Sequence, residues 1–334
     1  MRFVTPGRIA AFGLVLLAIV LGLVLIQSDE YLFLPDRAHP VTPLVDVRGG
    51  HERTGGGIYY VDVVVRKASL LERLFHGLHS GADLYPADAV NPPGVNDAQR
   101  RRIDLQDMQE SQQIAAAVAL KAAGKKVVLR PTGAQVEDVR PGYPAVGKLE
   151  PDDVIVAIDG ARVRGPNDVR TDMGKRKPGE VVRFTVRRAG RALLQRIRTV
   201  VSPDRPRRPY VGIVVGQALT IHLPIHVSID AGGIGGPSAG LAFALDVYQQ
   251  LGHNVDRGHR IAVTGEIFAD GSVGPIGGVK QKTYGARESG VDAFLVPAGD
   301  NAREARKYAK GLRIIPVRSF QQALRALATT FAGS

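Results

Sequence analysis

The sequence predicts an α+β chain in which a small β-rich module interrupts a larger mixed domain, behind an N-terminal transmembrane helix. Three observations carry this. Residues 9–26, IAAFGLVLLAIVLGLVLI, are 18 apolar residues in a row, long enough at about 1.5 Å per residue to cross a hydrocarbon core as a helix. Residues 126–201 fall into short β-branched runs separated by Pro-Gly and Asp-Gly turns, the pattern of a small β module. From residue 280 onward, helical stretches at 280–289, 301–310 and 320–331 alternate with the strand-like runs FLVP (294–297) and RIIPV (313–317).

The flanks of the apolar run give its orientation. Arg2 and Arg8 precede it, and Asp29 and Glu30 follow, so residues 1–8 are expected to stay in the cytoplasm as a short tail and the rest of the chain to lie outside it. A cleaved signal peptide is the rival reading. The residues that follow, QSDEYLFLPD, are bulky and lack a small-x-small cleavage site, which favours a retained single-pass anchor. The formal charge of +12 invites an anionic partner. The basic residues, however, sit in short scattered clusters such as Arg100-Arg101-Arg102 and Lys175-Arg176-Lys177. No aromatic side chains interleave with them to stack bases, so no nucleic-acid partner is expected. The absence of cysteine excludes a thiol nucleophile and a thiolate metal site.

The remaining elements follow from local pattern. Residues 27–57 are polar and hold Pro and Gly, as a loop would; Ile58–Arg66, IYYVDVVVR, reads as a strand; residues 68–78 read as a short helix and 79–99 as a long loop. Residues 111–123 read as a helix closed by Gly124. After the stretch SPDRPRRP (202–209), which reads as a linker, strands are expected at 211–215, at 218–229 with a break at Pro224, and at 260–264. Ser319 and Gln322 have the spacing of a capping box for the last helix. His222 and His226 are four apart, but Pro224 between them disfavours a helix, and four strand residues span about 13 Å, so no metal site is expected.

Residues 230–246, DAGGIGGPSAGLAFALD, carry the candidate chemistry. A phosphate cradle is excluded by the absence of any G-x-x-x-x-G-K-[ST] run. Gly236-Pro237-Ser238-Ala239-Gly240 matches a nucleophile elbow, but that arrangement needs a later histidine, and the last one in the chain is His259. A lysine is the base that remains. If burial keeps it neutral, it can take the proton of a serine hydroxyl. Lys280 follows the Gly277-Gly278 turn at the start of a helix, where the macrodipole disfavours its charge. Lys282, two positions on, faces another way.

Two resemblances extend this reading. The stretch VEDVRPGYPAVGKLEPDDVIVAIDGARV, with Pro141-Gly142-Tyr143-Pro144-Ala145, Leu149 to Ile155 and Ile158-Asp159-Gly160 to Val163, closely resembles a PDZ domain of the bacterial protease type, with Asp152 in place of the usual glycine. That resemblance implies binding of an extended peptide by strand addition. GPSAG followed by TGEIFADGSVGPIGGVKQK and VDAFLVPAGDNAREARKYAKGLRIIPVRSFQQAL resembles the proteolytic domain of the Lon-type serine-lysine peptidases. By family position the resemblance implies Ser238 as nucleophile and Lys280 as general base, with Lys282 as a non-catalytic neighbour. Gly236, Pro237 and Thr264 are implied as supporting or oxyanion residues. Gly235 stands where an acidic residue is usual, and no ATPase module is visible; with the anchor and the PDZ module this resembles the membrane-anchored, PDZ-containing branch. The expected organisation is then a tail at 1–8, an anchor at 9–26, a protease domain split into 36–125 and 204–334, and a PDZ domain at 126–203. The implied function is ATP-independent cleavage of extracytoplasmic peptides or loosely folded proteins, with no cofactor and with homo-oligomers as in related domains. A non-catalytic membrane PDZ scaffold is the alternative.

Overall fold

A computed structural model of the chain describes residues 6–51, 55–75, 77–91, 95–203 and 208–332, with helical side chains described from residue 11 on. Residues 1–5 of the expected tail and 204–207 of the expected linker lie outside the described residues. The chain divides into two units, Met1–Lys126 with Leu223–Ser334, and Val127–His222.

The first unit is built on a six-stranded sheet. Its strand order is Arg313–Val317, Ala293–Pro297, Arg260–Val263, Gly57–Ser69, Gln27–Pro40 and Asp83–Pro86. The first four strands run parallel to one another, and the last two join antiparallel. Alternation along the strands supplies both faces with apolar side chains. Ile58, Ile261, Val263, Leu295 and Val317 pack with helices Asp97–Ala122, Gly240–Gln250 and Phe320–Thr330. Val61, Ala262, Phe294 and Val296 pack with helices Val279–Glu288 and Asp300–Tyr308. This two-sided burial is why AFLVP is apolar at every position and fully buried. The last helix is capped as read, Ser319 Oγ accepting the Gln322 N–H. The Gln322 side chain, however, accepts the Arg318 N–H rather than that of Ser319.

Strand Asp83–Pro86 falls inside the stretch 79–99, expected as a loop, and two further elements differ from the sequence reading. The stretch 27–40, expected as loop, is a 14-residue strand paired along its length with Gly57–Ser69. Its pattern is obscured by Asp29, Glu30 and Pro35 and by register shifts between Gln27 and Tyr31 and between Pro35 and Ala38. The helix expected at 111–123 starts at Asp97, where Asn96 and Gln99 form a capping box. Its first half is largely exposed and polar, which hides the helical period. At the start of this unit, helix Pro6–Leu25 exposes Phe12, Leu17, Leu21 and Leu25. Among the described residues no helix is long and apolar enough to cross a membrane.

The second unit is a β-rich module. Strands Ile213–His222, Val128–Val139, Val154–Ile158, Val181–Arg188 and Arg191–Arg198 form one antiparallel sheet in that order, with helix Pro166–Gly174 beside it. Val136, Ile155, Ile158, Phe184 and Ile197 fill its core. The unit runs beyond the expected boundary at 203. Strand Ile213–His222 pairs with Val128–Val139, roughly 80 residues earlier, and the short strands Val200–Val201 and Pro209–Tyr210 pair across the segment expected to be a linker. Asp152, in place of glycine, takes φ +71°, a region that Asp tolerates better than most residues. Its carboxylate accepts a 3.0 Å hydrogen bond from Gln135 Nε2.

Candidate active site

Ser238 sits in a single tight turn, Pro237–Ala239, that leads directly into helix Gly240–Gln250. Gly236 enters this turn at φ +79°, a conformation that needs glycine. Helix Asp97–Ala122 holds the turn from the side. The Asp104 carbonyl accepts the Gly236 N–H at 2.7 Å. Ser111 Oγ donates to the Pro237 carbonyl at 3.1 Å, and Arg101 donates to the Gly233 carbonyl. A Cβ at position 235 would stand 2.8 Å from the Asp104 Cβ. That approach leaves no room for a side chain at this position unless Asp104 shifts.

The turn docks on the carboxyl end of strand Arg260–Val263. The Ser238 carbonyl accepts the Gly265 N–H at 2.8 Å and the Thr264 hydroxyl at 3.2 Å, and Leu241 N–H donates to the Gly265 carbonyl. Strand ends of this kind are where open α/β sheets place their ligands.

Helix Val279–Glu288 supplies the lysine, and it is Lys282. Its Nζ lies 2.6 Å from Ser238 Oγ and 3.3 Å from Thr264 Oγ1. Lys282 is 4% exposed. Burial in this apolar setting pulls its pKa down to about 8, against the weaker opposing influence of Asp62. No carboxylate forms an ion pair with it among the described residues.

Lys280, expected as the base, is corrected by this geometry. It turns to Asp83, with Nζ 2.7 Å from Oδ1, and donates to the Ala82 carbonyl at 3.2 Å. Partial burial pulls its pKa down, but the hydrogen bond and charge of Asp83 outweigh that and hold it above the ordinary lysine value. Helix phase decides between the two. Val279 and Ala286 pack toward the sheet, and Lys282 lies three residues after the first and four before the second, so it shares their face. The supporting set is also redistributed. Gly236 spends its N–H on Asp104 and Pro237 has none, so neither is an oxyanion donor. Thr264 bridges Lys282 and Ser238, so it does meet the lysine, though not the expected one. Sequence reasoning did not single out Asp104, Ser111 or Asp62; no local pattern marks residues that act only through tertiary packing.

A buried lysine against a half-buried serine on the carboxyl end of a sheet strand is an arrangement that can activate a hydroxyl without a histidine. Comparison places it more closely. Residues 209–329 match the family model of the Lon protease (S16) C-terminal proteolytic domain, and residues 103–199 match that of the PDZ domain. Lon protease 2 of Bacillus subtilis is 38% identical over 101 residues, covering 30% of this chain and 18% of that protein. The Lon protease of Chloroflexus aggregans is 33% identical over 140 residues, covering 41% of this chain and 17% of that one. Lon protease 1 of Myxococcus xanthus is 29% identical over 186 residues, covering 54% of this chain and 22% of that one. The chain spans about a fifth of the length of these curated relatives. Similarity to a Lon-type proteolytic domain and similarity to a PDZ domain thus meet in one chain.

Proposed function

We propose that the chain is a serine endopeptidase in which Ser238 is the nucleophile and Lys282 the general base. The 2.6 Å approach of the buried Lys282 Nζ to Ser238 Oγ carries this reading. Neutral Lys282 takes the hydroxyl proton as Oγ attacks a peptide carbonyl. The tetrahedral oxyanion is met by the Ser238 backbone N–H, at the turn that leads into the N-terminus of helix Gly240–Gln250, where the dipole favours negative charge. Collapse breaks the C–N bond, and the Lys282 ammonium returns the proton to the leaving amine. Lys282 then deprotonates the water that cleaves the Ser238 ester. Thr264 holds the lysine and the serine turn in register.

The wider assignment belongs to the same proposal. The apolar run 9–26 anchors the chain in the membrane, with both units on the extracytoplasmic side. Substrates are extended or loosely folded polypeptides, whose backbone can reach Ser238 without prior unfolding. The PDZ unit presents strand Ile213–His222 at the end of its sheet, an edge on which a peptide can pair as an added strand. Homo-oligomers are part of the reading by analogy with related domains.

The test is cleavage of fluorescein-labelled casein by the full-length chain in detergent. Ser238→Ala and Lys282→Met are expected to lose activity by about a thousandfold or more. Undiminished cleavage by either variant sinks the dyad. A folded parent that leaves casein and a peptide library intact favours the scaffold alternative.

A further inference from the structure

Lys280 is left without a role once Lys282 is the base, yet it is among the most heavily bonded side chains around the site. It and Gln281 grip one short segment. Lys280 Nζ binds Asp83 Oδ1 at 2.7 Å and the Ala82 carbonyl at 3.2 Å. Gln281 Nε2 donates to Asp83 Oδ2 at 2.8 Å and to the Gly81 carbonyl at 3.2 Å. The Asp83 carboxylate is thus forked between two successive residues of the helix, immediately before Lys282. Behind Lys280, the Tyr308 ring centroid lies 5.7 Å from Nζ, within cation–π range. Asp83 in turn begins strand Asp83–Pro86, which pairs with Gln27–Pro40, Phe33 facing Asp83.

A cation in the first turn of a helix opposes the macrodipole, so its presence calls for a compensating contact, and Asp83 supplies it. A neutral lysine has a different need. It gains nothing from a carboxylate neighbour, which would restore its charge, so its position must be set by something other than an ion pair of its own. The geometry points to Lys280 as a positioning residue: its ion pair with Asp83, shared with Gln281, clamps the first turn of helix Val279–Glu288 to the sheet edge and so holds Lys282 against Ser238. This rests on the Ser238–Lys282 reading above. A displacement of the base by about 1 Å is enough to cost up to roughly a hundredfold in rate.

Lys280→Met and Asp83→Asn, the second nearly isosteric, test the clamp in the full-length chain with labelled casein as substrate. Each is expected to lower kcat about tenfold with KM nearly unchanged. The double variant should be no slower than the worse single one, since both break one contact. Lys280→Arg, which keeps a charged donor, should recover most of the rate. The pH midpoint set by Lys282 should stay in place, because the groups facing it are Asp62, Ser238 and Thr264, whereas those facing Lys280 are Asp83, Tyr284 and Tyr308. Three outcomes overturn the clamp: Lys280→Met at the parent rate, losses that multiply in the double variant, or a lowered melting temperature with kcat intact. Loss of the pH midpoint in Lys280→Met would make Lys280 the base instead. Retained cleavage in Ser238→Ala or Lys282→Met breaks the dyad itself, a failure separate from that of the clamp.

Discussion

Lys280 and Lys282 are two residues apart on one helix and end in opposite chemical states. Lys280 meets a carboxylate, is partly open to solvent and is held above the ordinary lysine pKa. Lys282 meets a serine and a threonine hydroxyl, is buried, and falls to about 8. Two helical positions are a rotation of about 200°, so one side chain faces the loop at 81–83 and the other the serine. Sequence neighbours therefore share a backbone but not an environment, and environment is what makes a lysine a base.

The sharpest way to break this comparison is to remove each lysine in turn. Lys282→Met is expected to cost about a thousandfold or more in turnover of labelled casein, against about tenfold for Lys280→Met. Equal losses would erase the distinction between base and clamp. The pH profile separates them next. Cleavage that needs neutral Lys282 should rise about tenfold per pH unit below about 8 and level off above it. A flat profile between pH 6 and 8 removes Lys282 from the rate equation.

Stability provides the third contrast, and its sign is opposite to that of activity. Lys282 titrates near 8 in the folded chain and near 10.5 when unfolded, so between those values the unfolded chain binds more protons and stability rises with pH. Below pH 8 the buried charge costs roughly 3 kcal/mol relative to high pH. Lys282→Met should therefore stabilise the protein at pH 7 by up to about 3 kcal/mol in urea titration, the gain shrinking toward pH 10.5. A destabilised Lys282→Met at pH 7 would mean that the lysine is neutral there or better paired than its surroundings indicate.

Much of this architecture was legible and some was not, for identifiable reasons. The strands near 58–66 and 293–297 and the last three helices announce themselves by period, and GPSAG with the downstream GGVK marks the site. Choosing between the lysines required reading phase across Val279, Lys282 and Ala286, and accepting a lysine on the buried face of a helix. Propensity argues against that placement, which function imposes. Strand Gln27–Pro40 and the end of the β-rich unit at His222 stayed hidden because their partners are distant in sequence and local composition carries no trace of them.

The smallest expected effect probes the residue that works against Lys282. Asp62, on strand Gly57–Ser69, raises the Lys282 pKa, while burial, the larger influence, lowers it. Asp62→Asn removes the opposing charge and leaves the burial. The folded lysine then releases its proton more readily, and the activity profile moves toward lower pH. At pH 7, on the rising limb, the variant should cleave labelled casein faster than the parent, by a few-fold at most; above the midpoint the two should converge. Stability at pH 7 should fall slightly at the same time, because the folded state holds its proton more weakly still. The same substitution at Asp83 acts on the other lysine, lowering kcat without moving the midpoint. A midpoint that shifts with Asp83→Asn and not with Asp62→Asn would mean that the base is the lysine facing Asp83.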